Sequence, residues 1–126
     1  GGGRLRRRDR GLPLVRSAMA KKKLPPIHPG DILQNQFLEP LSMSQNELAR
    51  EIRVSSPRIT AIVNGKRRVT PEMALRLGRF FRTGPEFWLD LQKKYDLELA
   101  EDDMAEEIER GIEPIAEARL KDAAPA

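Results

Sequence analysis

The stretch Ser44-Gln45-Asn46-Glu47-Leu48-Ala49-Arg50-Glu51-Ile52-Arg53-Val54-Ser55-Ser56-Pro57-Arg58-Ile59-Thr60-Ala61-Ile62-Val63-Asn64-Gly65 decides the fold. It reads as two short helices across a tight joint. Ser44 and Glu47 have capping-box spacing: the hydroxyl accepts the amide three residues on, and the carboxylate reaches back. Met43 and Leu48 hold the hydrophobic-staple positions. Leu48, Ala49 and Ile52 share the inner face, and Ala49 is small where a second helix must cross. The second helix starts the same way. Ser55 is its N-cap, and Val54 and Ile59 are its staple. Pro57 costs nothing in a first turn, whose amides have no intrahelical partner. Ile59, Ile62 and Val63 form the buried stripe, and Gly65 closes the helix at positive φ. Ser56, Pro57, Thr60 and Ala61 face outward with no apolar neighbour to cover.

Two capped helices across such a joint match a DNA-reading helix-turn-helix. The outward ridge of the second helix has small features, so it can enter a major groove without clash. Thr60 can bond a base edge, and the methyls of Thr60 and Ala61 can touch a thymine methyl. Arg58 is the long side chain near the tip; it suits a guanine edge or a phosphate. Lys66-Arg67-Arg68 follows directly and suits backbone phosphates, or is simply a solvated loop. Gln45 sits where a side-chain amide and a helix N-terminus can hold a phosphate together. The expected DNA-binding set is Gln45, Ser55, Ser56, Pro57, Arg58, Thr60, Ala61, Asn64, Lys66, Arg67 and Arg68.

Four separated blocks carry a more specific signal. Pro26-Ile27-His28-Pro29-Gly30-Asp31-Ile32-Leu33, Phe37-Leu38-Glu39-Pro40-Leu41, Ile62-Val63-Asn64-Gly65-Lys66-Arg67 and Pro85-Glu86-Phe87-Trp88-Leu89 occur in order. Together they resemble the HigA family of antitoxins, within the phage-repressor and Xre class. The resemblance implies an all-α, five-helix, phage-repressor-like domain that represses its own operon on double-stranded operator DNA. It also implies a partner toxin, a HigB-type, ribosome-dependent mRNA endonuclease. The pattern departs from the family at the turn, where glycine is frequent and Arg53 stands here. A non-glycine residue at positive φ costs on the order of 1 kcal/mol.

Composition sets the limits. The 126 residues suffice for one domain and carry a net charge of +4 that hides an asymmetry. Residues 1–23 hold nine Lys or Arg against one Asp. Residues 24–95 hold eleven basic against seven acidic, and residues 96–126 hold three against eleven. The expected organisation is a flexible, disordered basic arm (1–23), a helix-turn-helix domain (24–95) and an acidic helical or disordered tail (96–126). Charges of this kind suit a polyanion at one end and a cationic partner at the other, or are merely solvated. Met19 looks like a natural start, so the residues before it read as an upstream mis-start or an added segment. The absence of cysteine excludes disulfides and fits a cytoplasmic protein. No apolar run approaches the roughly eighteen residues of a membrane span.

Along the chain, Pro29 to Leu38 reads as a first helix with Ile32, Leu33, Phe37 and Leu38 inward. His28, the sole histidine, reads as a cap or loop residue. With no cysteine beside it, metal binding is not expected. Thr70 caps a fourth helix in which Met73, Ala74, Leu77, Phe80 and Phe81 face the core and Arg76, Arg79 and Arg82 the other side. Pro85 opens a fifth, with Phe87, Trp88, Leu91 and Tyr95 on one face. Leu89 lies off that face and marks a candidate dimer surface. The helix continues to about Arg110, where Gly111 and Pro114 break it.

No phosphate loop, dinucleotide fingerprint, zinc motif or nucleophile–base pair is present. A binding role without cofactor is therefore expected rather than an enzyme. A single helix tip reads only about four or five base pairs, each worth roughly 1–3 kcal/mol. Hence a two-fold homodimer on an inverted repeat is expected, with reading helices about 34 Å apart. The alternatives are a stand-alone Xre-type regulator without a toxin, and a protein-binding module that never meets DNA.

Overall fold

The computed structural model describes residues 24–123. The readings of the basic arm, of Met19 and of the last three residues lie outside them. Six α-helices and one π-helical segment make up the described residues. Helix α1 (Pro29–Ile32) runs directly into the π-helix Leu33–Leu38. Then follow α2 (Gln45–Ile52), α3 (Ser56–Val63), α4 (Pro71–Phe81), α5 (Pro85–Gly111) and α6 (Glu117–Leu120). The sixth is a single turn beyond Pro114 that the sequence did not suggest.

The π-helix changes the expected first helix, and the reason is packing. The Glu39 amide donates to the Gln34 carbonyl at 3.0 Å, five residues back. That spacing stacks Leu33 and Leu38 on the same side, and both are buried. An ordinary 3.6-residue turn would splay these two side chains. Pi-helical turns are rare and often accompany functional sites. Here the turn also places Gln34 beside α2.

The core is Leu33, Leu38, Leu48, Ala49, Ile52, Ile59, Ile62, Val69, Met73, Ala74, Leu77 and Trp88. Each helical stripe expected from the 3.6 period contributes to it. Phe37 sits among aromatic rings, with centroids 4.8 Å from Phe81, 5.1 Å from Trp88 and 5.9 Å from Phe87. Tilted and edge-on contacts of this kind add to simple burial. Phe87, expected in the core, is a rim residue 37% exposed.

Two glycines permit backbones to touch. A Cβ at Gly30 would strike the Ile62 carbonyl, and one at Gly78 would strike Gly84. Helix α1 therefore lies hard against the end of α3, and α4 against the turn into α5. His28 caps α1: its Nδ1 accepts the Gly30 amide at 2.8 Å. Its ring meets Tyr95 edge-on at 4.8 Å. Burial holds the imidazole below its ordinary pKa, although the charges of Asp31 and Asp96 and the Arg67 carbonyl pull the other way.

Helix α5 is 27 residues long, about 40 Å at 1.5 Å per residue. Its first three turns pack on α4, with Trp88 and Gln92 buried. From Leu99 to Ala123 every residue is exposed. The helix is continuous through Asp96, where composition changes from basic to acidic.

Candidate nucleic-acid interface

Both helices of the reading pair start and stop as their residues dictate. The Ser44 hydroxyl accepts the Glu47 amide at 3.0 Å, worth about 1 kcal/mol. Arg53 ends α2 in the left-handed region at φ 63, ψ 49. The Val54 amide then reaches back to the Ala49 carbonyl at 3.0 Å, the six-to-one bond of a Schellman motif. Gly65, at φ 75, ends α3 in the same manner: the Lys66 amide donates to Ala61 at 2.8 Å. Ser55 occupies the N-cap position of α3, but its hydroxyl makes no capping bond. The Ser55 carbonyl does that work, accepting the Arg58 amide at 3.1 Å. The turn residues Arg53 to Ser55 thus hold α3 at an angle across α2.

The expected ridge lies on the surface. Pro57, Thr60 and Asn64 are exposed, and Ser56, Arg58 and Ala61 are partly so. Gln45, the first residue of α2, is brought to Thr60: the Thr60 hydroxyl donates to Gln45 Oε1 at 2.7 Å. Gln45 Nε2 points to Gln34 Oε1 at 3.4 Å. Three elements therefore meet in one polar chain at the edge of the ridge. Gln34 is absent from the sequence-based set, because only the π-turn carries it there.

Arg58 does not project freely. Its Nη2 pairs with Glu72 Oε1 at 2.9 Å, and Glu72 Oε2 pairs with Arg76 Nε at 2.9 Å. Arg76 in turn donates from Nη1 to the Ile52 carbonyl at 2.7 Å. Expected to face solvent, Arg76 instead ties α4 to the last carbonyl of α2. Arg82, expected on the same outer side, lies beyond α4 and caps it at φ 65. Hydrogen bonds from Arg58 and Arg76 hold the Glu72 carboxyl below the usual range. Glu72 reads from sequence as an ordinary first-turn acid; nothing there names its partners.

Lys66, Arg67 and Arg68 are exposed beside the end of α3. The loop is not slack. Arg68 Nη2 reaches Asp96 at 2.7 Å, and the Val69 amide donates to buried Gln92 at 2.7 Å. Burial pushes the Asp96 carboxyl up, but bonds from Arg68 and Gln92 outweigh it and hold it low. Two of the three cations, Lys66 and Arg67, stay clear of these anchors.

The chain is similar to proteins of known structure. A helix-turn-helix family profile matches residues 35–88. The chain is 33% identical over 79 residues to antitoxin HigA-1 of Vibrio cholerae, covering 63% of this chain and 74% of that one. It superposes on Pseudomonas aeruginosa antitoxin HigA with the higBA promoter at TM-score 0.70, with 43% identity over 72% of this chain and 99% of that one. The chain belongs to the HigA family. Another solved structure, PA4674 of Pseudomonas aeruginosa in complex with its operator DNA, gives TM-score 0.71 and 42% identity, over 74% and 100% of the two chains. The fold is thus the all-α helix-turn-helix that the residues and the family blocks implied. Relatives of this chain are named as an HTH-type transcriptional regulator and as antitoxins. Among the described residues no helix is long and apolar enough to cross a membrane.

Proposed function

We propose that this HigA-family protein is a transcriptional repressor that reads operator DNA with α3 and serves as the antitoxin of a HigB-type toxin. One observation carries the DNA reading: a small-featured ridge at Pro57, Thr60 and Asn64 stands uncovered, with Lys66 and Arg67 at its end. Two similar solved structures, one with promoter DNA and one with operator DNA, support it. In this reading Gln45, Lys66 and Arg67 hold phosphates. Ser55, Ser56, Pro57, Thr60, Ala61 and Asn64 meet the groove. Arg58 and Arg68 reach DNA only by exchanging a carboxylate for a phosphate.

The protein acts as a homodimer, because one ridge reads too few base pairs to find an operator. Leu97, Ala100, Met104 and Ile108 form an exposed stripe along α5 beyond the half-buried Leu89, and this side of the helix is the dimer face. The acidic segment from Glu101 to Glu109 offers a cationic toxin its contact. The residues that touch DNA lie within 24–95, the basic arm adds nonspecific phosphate contact, and the acidic tail serves the protein partner.

The test is binding to duplex from the gene's own upstream region, measured against salt. Affinity falls steeply with salt, by about 0.9 in log–log slope for each phosphate neutralised. A salt-insensitive or absent interaction refutes the reading and favours a protein-binding module. Removal of the residues after Asp96 abolishes toxin capture and, because Leu97 to Ile108 go with them, the dimer as well, while the helix-turn-helix itself stays folded; undiminished capture dismisses the tail. A stand-alone regulator is the second reading, favoured if no toxin-sized reading frame adjoins the gene.

A further inference from the structure

We infer that Gln45 sets the base preference of Thr60 by taking up its only hydroxyl proton. The inference rests on the DNA reading proposed above and concerns one contact within it. A threonine hydroxyl has one proton and two lone pairs. Free in solution it serves equally as donor or acceptor, and so discriminates poorly between bases. Here the proton is committed: Thr60 Oγ1 donates to Gln45 Oε1 at 2.7 Å. Gln45 is held for this task. Its helix start is capped by Ser44, and its Nε2 is drawn to Gln34 Oε1 at 3.4 Å. With Nε2 turned toward Gln34, the carbonyl end of the amide faces Thr60, and a carbonyl only accepts.

Thr60 is exposed and therefore presents lone pairs and a methyl group to whatever enters its side of the ridge. In the major groove adenine N6 and cytosine N4 are donors, whereas guanine offers only acceptors at N7 and O6. An acceptor-only Thr60 favours adenine or cytosine and opposes guanine. An A·T pair also supplies a thymine methyl for the threonine methyl to meet. The preferred pair is thus A·T. Gln45 can hold a phosphate at the same time, because its amide carries a second N–H that the chain to Gln34 leaves unused. The phosphate role and the specificity role use different atoms of one side chain. Gln45 is in this sense a positioning residue for Thr60, and Gln34 steadies it.

The experiment selects binding sites from a randomised duplex pool with the full chain, its Q45A, Q45E and T60V variants, and thermal melts as a folding check. The wild type enriches A·T at one position of each half-site. Q45A releases the Thr60 proton, and guanine rises there about tenfold, the usual weight of one base contact. Q45E keeps the A·T preference, since a carboxylate only accepts, while binding weaker at all positions through phosphate repulsion. T60V keeps the methyl contact but loses the share of the adenine-over-guanine discrimination that the hydroxyl supplied, at that position alone. If Q45A does not fold, Q45E and T60V decide between them. An even loss of affinity in Q45A with an unchanged base profile overturns the inference, as does loss of the A·T preference in Q45E. Those results leave DNA binding intact. If the wild type itself selects no sequence and shows no salt-dependent binding, the DNA reading falls and this inference with it.

Discussion

Replacing Arg53 by glycine should make the protein more stable, although it deletes a large side chain. Arg53 sits at φ 63, ψ 49, where the left-handed backbone brings Cβ against the following carbonyl. For an L-residue other than glycine this costs roughly 1–2 kcal/mol. Glycine removes that cost but gives the unfolded chain more freedom, worth about 0.4–1 kcal/mol. The bonds of the turn run through backbone atoms, from the Arg53 amide to Ala49 and Arg50 and from Val54 to Ala49. They survive the substitution, as does the weak acceptance of Arg76 by the Arg53 carbonyl at 3.4 Å. The side chain itself is exposed. The net gain is about 0.5–1 kcal/mol, which for a domain of this size raises Tm by roughly 2–6 °C. Arg53→Ala separates backbone from side chain, because alanine keeps the Cβ and therefore the strain. Thermal unfolding followed by circular dichroism should rank Gly above Ala, with Ala equal to Arg. An unchanged or lower Tm for R53G, or equal values for Gly and Ala, refutes the backbone argument.

Gly30→Ala pushes a methyl into the Ile62 carbonyl and should cost about 1–3 kcal/mol, the range for overpacking; a Tm within a degree of wild type would show that α1 can move away. Glu72→Gln frees Arg58 and should tighten DNA binding by about two- to five-fold, with no gain in an R58Q background; a gain that persists there shows that Glu72 acts through something else. Arg58→Gln should lower the salt slope by about 0.9 if Arg58 moves to a phosphate, and an unchanged slope keeps it on Glu72. Because burial depresses the His28 pKa below 6.5, the unfolded chain takes up the proton first as pH falls. Stability is then flat at higher pH and declines below about 6.5. His28→Asn, whose side-chain oxygen replaces the capping Nδ1, should flatten that decline in pH-dependent melts, and a wild-type Tm constant down to about pH 5 contradicts it.

The reading pair was legible because its signals are local. Ser44 and Glu47, Pro57, and Gly65 act within one helical turn of themselves, so their chemistry appears in the residue order. The inward stripes of α2, α3 and α4 followed from a 3.6-residue period for the same reason. Ser55 shows the limit even of local inference: its position is right, yet the backbone carbonyl replaces the hydroxyl. Arg53 could be located at the turn but not assigned a backbone angle until the Schellman bonds were seen.

What sequence alone determined, then, is helices α2 to α5, the outward ridge of α3 and the family. These depend on neighbours three or four residues apart. Tertiary structure decided which side chains are free to act. The partners of Arg58, Arg76, Arg68 and Thr60 lie 14, 24, 28 and 15 residues away. Whether a charge or hydroxyl is spent inside the protein depends on those distant atoms arriving within about 3 Å. No period or spacing encodes that. It follows only when α1, widened by its π-turn, and α4 close over the pair.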